Sequence, residues 1–248
     1  MKIDHISYSQ LDLYLNCPRK WWFQKVKYPQ ETIQTWPLAL GSAYHEAQEA
    51  MAKGGDMNKV LETFQGGLGK WGPRLAHNQL KEAENMMTAL RFYYENIFPK
   101  YSYMIDESYI EVMDTEFMID GIDVPIHVRI DLRTLDNGII DHKTVGRVSP
   151  TAKKNKQLLI YSYWHLKKMK TLPAYVELHK AYKFPKYDKD PVEVVRENVN
   201  LADVMKTVEQ LRAVYKLITE EVYNPSPSYL CNYCQFKDEC DRMSISGI

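Results

Sequence analysis

The stretch Ile126-His127-Val128-Arg129-Ile130-Asp131-Leu132-Arg133-Thr134-Leu135-Asp136-Asn137-Gly138-Ile139-Ile140-Asp141-His142-Lys143-Thr144-Val145 decides how the rest of the chain is read. Two runs rich in β-branched residues, Asp123–Thr134 and Ile139–Val145, flank the turn-forming Asp136-Asn137-Gly138, which is the pattern of an antiparallel hairpin. Asp141 and Lys143 stand two apart on one strand and so share a face. The loop decides whether Asp131 joins them. A two-residue Asn137-Gly138 loop pairs Thr134 with Asp141 and sends Asp131 to the opposite face. A three-residue Asp136-Asn137-Gly138 loop pairs Arg133 with Asp141 and Asp131 with Lys143, which gathers all three groups. The three-residue loop is the expectation here, with Gly138 in the left-handed conformation such a turn needs.

Two carboxylates side by side repel each other unless a cation lies between them, and magnesium or manganese prefers hard oxygen ligands. Such an ion orients and acidifies a water and neutralises charge growing on a phosphorane-like transition state, so the chemistry is metal-assisted phosphodiester hydrolysis. Lys143 on the same face can orient or deprotonate the attacking water, or stabilise negative charge on the phosphate. An Asp-x-Lys pair also suits a plain surface hairpin. The hairpin alone therefore does not decide, and three further features bear on it. In Gly41-Ser42-Ala43-Tyr44-His45-Glu46, His45 lies on a helical segment from which it can approach the ion as a nitrogen ligand. In Gln157-Leu158-Leu159-Ile160-Tyr161, Gln157 and Tyr161 are four apart and share a helix face, where they face DNA or brace the site.

Cysteines supply the third feature. The chain has four: Cys17, in Asn16-Cys17-Pro18, and the Cys-x2-Cys-x5-Cys tail of Cys231, Cys234 and Cys240. A Cys-x2-Cys pair in a chain with no secretion signal is more typical of a metal or redox site than of disulfides. Zinc sites usually use two close pairs, so this one-plus-three arrangement favours an iron–sulfur cluster that staples the two ends of the chain.

Around these features, residues 1–100 read as helical. Expected helices run from Pro18 through Val26, from Leu38 to Lys53, from a cap at Asp56 to near Phe64, and from Arg74 to Phe98. Residues 101–200 read as the α/β core, with strands Tyr109–Ile119, Asp123–Thr134, Ile139–Val145, Ala174–Lys183 and Val192–Val199 and a helix over Thr151–Lys170. Residues 201–248 carry a helix over Leu201–Glu221 and the cysteine-rich tail. Strands and helices in this order predict an α/β mixed sheet flanked by helices, here taken as one domain. Gly66-Gly67-Leu68-Gly69-Lys70-Trp71 lacks the first glycine of a phosphate loop, and Trp71 stands where a Ser or Thr should bind magnesium; a glycine-rich loop is the reading.

Bulk properties exclude several classes. Of the 248 residues, 32 are basic and 32 acidic, so any nucleic-acid surface must be local. Lys153, Lys154 and Lys156 ahead of Gln157, and Lys180, Lys183 and Lys186 interleaved with Tyr182, Phe184 and Tyr187, are the candidates. No apolar run approaches the ~20 residues of a membrane span, and the first residues are not a signal peptide; a cytoplasmic protein is expected.

With these pieces assembled, the chain resembles the RecB-like exonucleases of the PD-(D/E)xK superfamily, and within them the branch with a four-cysteine iron–sulfur cluster, as in the AddB nuclease domain and the CRISPR-adaptation nucleases. The residues that carry the resemblance run from Tyr8-Ser9-Gln10-Leu11 and Cys17-Pro18-Arg19-Lys20 through Gly41–His45, Asp131, Asp141-His142-Lys143 and Gln157–Tyr161 to the last three cysteines. It implies a restriction-endonuclease-like fold and a Mg/Mn-dependent deoxyribonuclease acting on DNA, single-stranded or with free ends. His45, Asp131, Asp141 and the His142 carbonyl would be metal ligands, Lys143 the catalytic lysine, and Gln157 and Tyr161 accessory groups. Cys17, Cys231, Cys234 and Cys240 would hold a cluster, 4Fe-4S by the family pattern. A helicase, recombination or CRISPR partner in a bacterial, archaeal or phage-infected cell is implied too. Val128 replaces the glycine that the family often carries three residues before the first aspartate. The alternative is a non-catalytic iron–sulfur DNA-binding or assembly subunit that keeps only the fold; intact Asp131, Asp141 and Lys143 argue against it.

Overall fold

A computed structural model describes residues 3–29, 35–69, 75–146 and 155–245. Its strands form a mixed six-stranded sheet: β1 (Ile6–Ser7), β2 (Ile105–Phe117), β3 (Ile126–Thr134), β4 (Gly138–Val145), β5 (Tyr175–Tyr182) and β6 (Val192–Glu197). The order is β1-β3-β4-β5-β6, with β2 also paired to β3. β3–β4 and β5–β6 are antiparallel, whereas β1–β3 and β4–β5 are parallel. This is the α/β mixed sheet flanked by helices expected from the element order, and it is consistent with the restriction-endonuclease-like fold that the resemblance implies.

The chain divides into two compact units. One comprises Gln34–Met113 and Arg129–Met205. It holds α3 (Trp36–Ala52), α4 (Met57–Leu68), α5 (His77–Phe92) and α6 (Lys156–Met169) around β4, β5 and β6. Strand alternation gives the sheet two chemically different faces here. Leu132, Ile140, Ala181 and Val192 pack with Leu40, Tyr44, Phe64, Met86 and Leu90 of α3, α4 and α5 in one apolar core. Asp141 and Lys143 point the other way. Asp56 caps α4 by accepting from the Lys59 amide at 2.8 Å. Contrary to the loop expectation, Gly66 and Gly67 lie inside α4. A Cβ at Gly67 would come 2.9 Å from Ala43 Cβ, so the glycine serves the close crossing of α4 over α3 rather than a turn.

The other unit comprises Met1–Ile33, Asp114–Val128 and Lys206–Ile248. Here α1 (Tyr8–Asn16) is capped by Ser7, and α2 (Pro18–Trp22) by Cys17, with Pro18 in its first turn. Side-chain contacts join the early and late segments. Arg19 Nε donates to the Tyr223 carbonyl at 2.8 Å, Trp21 stacks on Tyr223 at 5.8 Å, and Phe23 stacks on Phe236 at 4.9 Å. Tyr28 donates to Glu239, on the helix Lys237–Ile245, at 2.8 Å. No described helix is long and apolar enough to cross a membrane.

Candidate active site

The hairpin register differs from expectation, and in an instructive way. Leu132 pairs with Ile140 and Arg133 with Ile139, so the loop is Leu135-Asp136-Asn137. It is three residues long, as expected, but begins one residue earlier. Continuing the ladder sets Asp131 opposite Asp141 rather than opposite Lys143. A correction attaches to the turn: Asn137, at φ 65°, takes the left-handed conformation, and Gly138 does not. Gly138 is glycine for another reason. A Cβ there would sit 2.2 Å from Tyr175 Cζ and 2.6 Å from Thr134 Oγ1.

Asp131 and Asp141 are both buried. Asp131 Oδ2 accepts from the His142 amide at 2.7 Å and lies 3.4 Å from His45 Nδ1. His45 Nδ1 is in turn 3.6 Å from Glu111 Oε1, and Arg129 Nε donates to Glu111 Oε2 at 2.6 Å. Among the described residues, His45, Glu111 and Asp131 form a donor set whose ligand atoms all lie within 4.8 Å of one another. Asp141 lies outside that set. Lys143 Nζ is 3.1 Å from its Oδ1 and 3.0 Å from its Oδ2, yet only the Oδ1 contact has hydrogen-bond geometry; Oδ2 is a buried acceptor left over.

Burial pushes the Asp131 carboxyl up to about 7, helped by the charges of Asp141 and Glu111 and opposed by His45 and Lys143. Burial works against protonation of His45, but Asp131 and Glu111 outweigh it and raise its proton affinity. Glu111 is the mirror case, with burial overcome by His45 and Arg129, so that its carboxyl titrates below the ordinary range. For Lys143, desolvation is outweighed by Asp141 and Asp131, and the ammonium is held more firmly than usual. The set is thus a buried concentration of acid groups with one imidazole and one ammonium among them.

Glu111 was not anticipated. It lies on β2 with φ 50°, a left-handed residue inside a strand that breaks the two-residue alternation. Nothing in the sequence separates it from Glu107, Asp114 or Glu116 on the same strand.

Asn155 caps α6, its Oδ1 accepting from the Gln157 amide at 3.0 Å. One turn on, Gln157 Nε2 donates to the Tyr161 hydroxyl at 2.5 Å. Burial, then Asp141 and Asp131, drive the Tyr161 phenol well above its ordinary range, so it stays neutral beside the acid groups. Lys153 and Lys154 lie outside the described residues. Lys180 is a correction: it is buried against Glu193, its cross-strand partner on β6, at 2.8 Å, and has no free ammonium to offer a phosphate. Phe184 and Tyr187, just beyond, are exposed.

Cys17, Cys231, Cys234 and Cys240 are all free thiols, partly buried, in the unit built from both ends of the chain. Cys17 Sγ accepts from the Lys20 amide and Cys231 Sγ from the Ser228 amide, each at 3.4 Å. Burial pushes the Cys240 thiol up; Arg19 opposes this, while Cys17 and Cys234 are close enough to add to it. No three of the four sulfurs lie within 4.8 Å of one another.

Residues 5–241 match a family model described as the PD-(D/E)XK nuclease superfamily. No curated protein matches the chain. Among solved structures, a protein from Eubacterium rectale, provisionally described as an exonuclease, superposes with a TM-score of 0.60 at 12% identity, covering 94% of this chain and 87% of its own. At that identity the likeness concerns the fold. A crystal structure of SSO0001 aligns over 97% of this chain and 87% of its own at 16% identity, with a TM-score of 0.44 too low to build on.

Proposed function

Because the chain belongs to the PD-(D/E)XK nuclease superfamily, we propose that the site around Asp131 hydrolyses DNA phosphodiester bonds with magnesium or manganese, acting from DNA ends in the manner of the RecB-like branch. The observation that carries this reading is the convergence of His45, Glu111 and Asp131 within 4.8 Å, beside Asp141 and Lys143. A hard divalent cation fits that donor set of two carboxylates and one imidazole, beside which Asp141 offers a buried oxygen without a hydrogen-bond partner. His45, Glu111, Asp131, Asp141 and the His142 carbonyl would hold the ion, which when bound supplies Lewis-acid stabilisation of the phosphate charge.

The chain's own groups do the rest. Lys143, anchored by Asp141, holds its ammonium where it can hydrogen-bond the attacking water and a non-bridging phosphate oxygen. Tyr161 and Gln157 brace the carboxylate face as a neutral hydrogen-bonded pair. Lys156 and the partly exposed Lys183 and Lys186 contact the DNA backbone, and exposed Phe184 and Tyr187 stack on unpaired bases.

The four cysteines would carry an iron–sulfur cluster, supplying a covalent tie between chain ends already joined through Trp21, Tyr223, Phe23 and Phe236. Zinc sites more often use two close cysteine pairs than this one-plus-three arrangement. A helicase or a recombination or CRISPR-adaptation partner would supply its DNA ends.

End-labelled linear and closed circular DNA, incubated with the protein across a series of divalent metals, test this reading. Linear DNA should be degraded only with magnesium or manganese and circular DNA spared. Asp141→Asn and Lys143→Ala should each lower the rate by about 100-fold or more with unchanged circular dichroism. If both variants digest DNA as the parent does, the assignment is wrong.

A further inference from the structure

Arg129 stands two residues before Asp131 on β3, so the two side chains leave the strand on the same face. The guanidinium is tied at one point. Its Nε donates to Glu111 Oε2 at 2.6 Å, while Nη1 and Nη2 have no hydrogen-bond partner among the described residues. Glu111 divides its two oxygens. Oε2 holds Arg129, whereas Oε1 lies 3.6 Å from His45 Nδ1, and that nitrogen is 3.4 Å from Asp131 Oδ2. Arg129 is thus fixed beside the His45, Glu111 and Asp131 donor set without belonging to it.

Exposure separates Arg129 from the other basic groups here. Its side chain is 60% exposed, against 30% for Lys143 and 23% for His45. An ion pair that open to water contributes little to stability, so the fold gives a weak reason for an arginine. Electrostatics gives a stronger one. Burial works against the Arg129 charge, but Glu111, Asp131 and Glu49 outweigh it and hold the guanidinium positive. The acid groups Glu111, Asp131 and Asp141 repel a DNA backbone, and an exposed cation on their face offsets that repulsion where the backbone arrives. The side-chain type matters too. With Nε anchored on a carboxylate, the two terminal amino groups form a rigid planar fork that matches two oxygens of one phosphate, which the point charge of a lysine does not.

We propose that Arg129 is a substrate-binding residue: Glu111 holds its guanidinium by Nε, and Nη1 and Nη2 clamp two oxygens of a DNA phosphate next to the one being hydrolysed. The proposal rests on the reading of this chain as a DNA nuclease and names a second point at which the backbone is gripped. Arg129 does not touch the reacting atoms, so its loss belongs to binding.

Two measurements on the full-length chain test it. The first is fluorescence anisotropy of a labelled single-stranded oligonucleotide, with calcium in place of magnesium and a gel to verify that the strand stays intact. Arg129→Gln should weaken binding by about fivefold or more and flatten the slope of log affinity against log salt by about 0.7, the share of one lost phosphate contact. Arg129→Lys should restore the slope but not the full affinity. Arg129→Gln with parental affinity or parental slope overturns the proposal, as does Arg129→Lys that binds as tightly as the parent. The second is calorimetric titration with Mn2+ alone, in which Arg129→Gln should bind at least as tightly as the parent, because a positive neighbour has been removed. Weaker Mn2+ binding would make Arg129 a positioning residue for Glu111 and also overturns it. A parent that neither binds nor cuts DNA sinks the functional reading and this inference together; a parent that cuts DNA while Arg129→Gln binds it unchanged sinks this inference alone.

Discussion

Gly138→Ala should be among the most damaging single-methyl changes in this chain, although Gly138 has an ordinary backbone conformation. The added Cβ would lie 2.2 Å from Tyr175 Cζ, 2.3 Å from Tyr175 Cε2 and 2.6 Å from Thr134 Oγ1. The ring cannot swing aside freely. Arg196 stacks on it at 3.7 Å, and its hydroxyl bonds Asp136 at 2.9 Å and lies 3.1 Å from Thr134. Overpacking of this kind costs roughly 1–3 kcal/mol. Losing one or two of the hydroxyl contacts adds about 1 kcal/mol each. Together about 2–5 kcal/mol is expected, which for a chain of this size lowers Tm by roughly 5–15 °C. Thermal unfolding followed by circular dichroism measures it. A second substitution separates close approach from backbone freedom, the two reasons for a glycine. If Gly138 were the left-handed residue of the turn, Gly138→Asn would be better tolerated than Gly138→Ala, because Asn enters that region more readily. With Tyr175 overhead, the larger Asn must be the worse of the two. A Gly138→Asn protein more stable than Gly138→Ala would refute the register of Leu132 with Ile140 and Arg133 with Ile139.

Glu111→Gln keeps the shape of the side chain and removes one negative charge from the donor set; the metal concentration for half-maximal DNA cleavage should rise by about tenfold or more, and an unchanged metal titration would remove Glu111 from the site. Protein purified without oxygen should be brown and contain iron, and Cys240→Ser should lower the iron content; a colourless parent with stoichiometric zinc would replace the cluster by a zinc site. Glu177 has a depressed carboxyl pKa, so its contribution to stability is present above the unfolded value near 4.3 and is lost as pH falls through the folded value. Arg196 Nε donates to Glu177 Oε1, and His179 Nε2 lies 2.8 Å from Glu177 Oε2; the Tm of Glu177→Gln should therefore fall less steeply between about pH 5 and 3 than that of the parent, and parallel acid limbs would show that these groups do not hold the Glu177 charge.

What could be read from the sequence, and what could not, follows from how each contact is specified. The expected sharing of a face by Asp131, Asp141 and Lys143 does not depend on where the three-residue loop begins, because side chains alternate with a period of two. Moving the loop one residue earlier slides the pairing by two, so each side chain keeps its face while its partner changes. Glu111 was invisible for the converse reason: a single left-handed residue within β2 cancels the periodicity by which a strand position is assigned a face. Lys180 was misread because a lysine in a basic stretch advertises a phosphate contact, and only the β5–β6 register reveals Glu193 across from it. Gly66 and Gly67 were misread because composition reports that a glycine is present, not whether freedom or closeness requires it; Ala43, more than twenty positions away, is what Gly67 makes room for.

The same distinction bears on how the site is held. His45, Glu111, Asp131 and Asp141 arrive on α3, β2, β3 and β4, and none of these elements fixes its neighbour's side chain by local geometry alone. Asp131 is oriented by an amide of the opposite strand, and that amide belongs to a residue whose ring is anchored on the far face of the sheet. A residue flanked by two reactive groups cannot itself point into the site, since strand alternation forbids it. It can, however, be gripped from behind without obstructing DNA. That makes His142 the position at which the core and the chemistry meet.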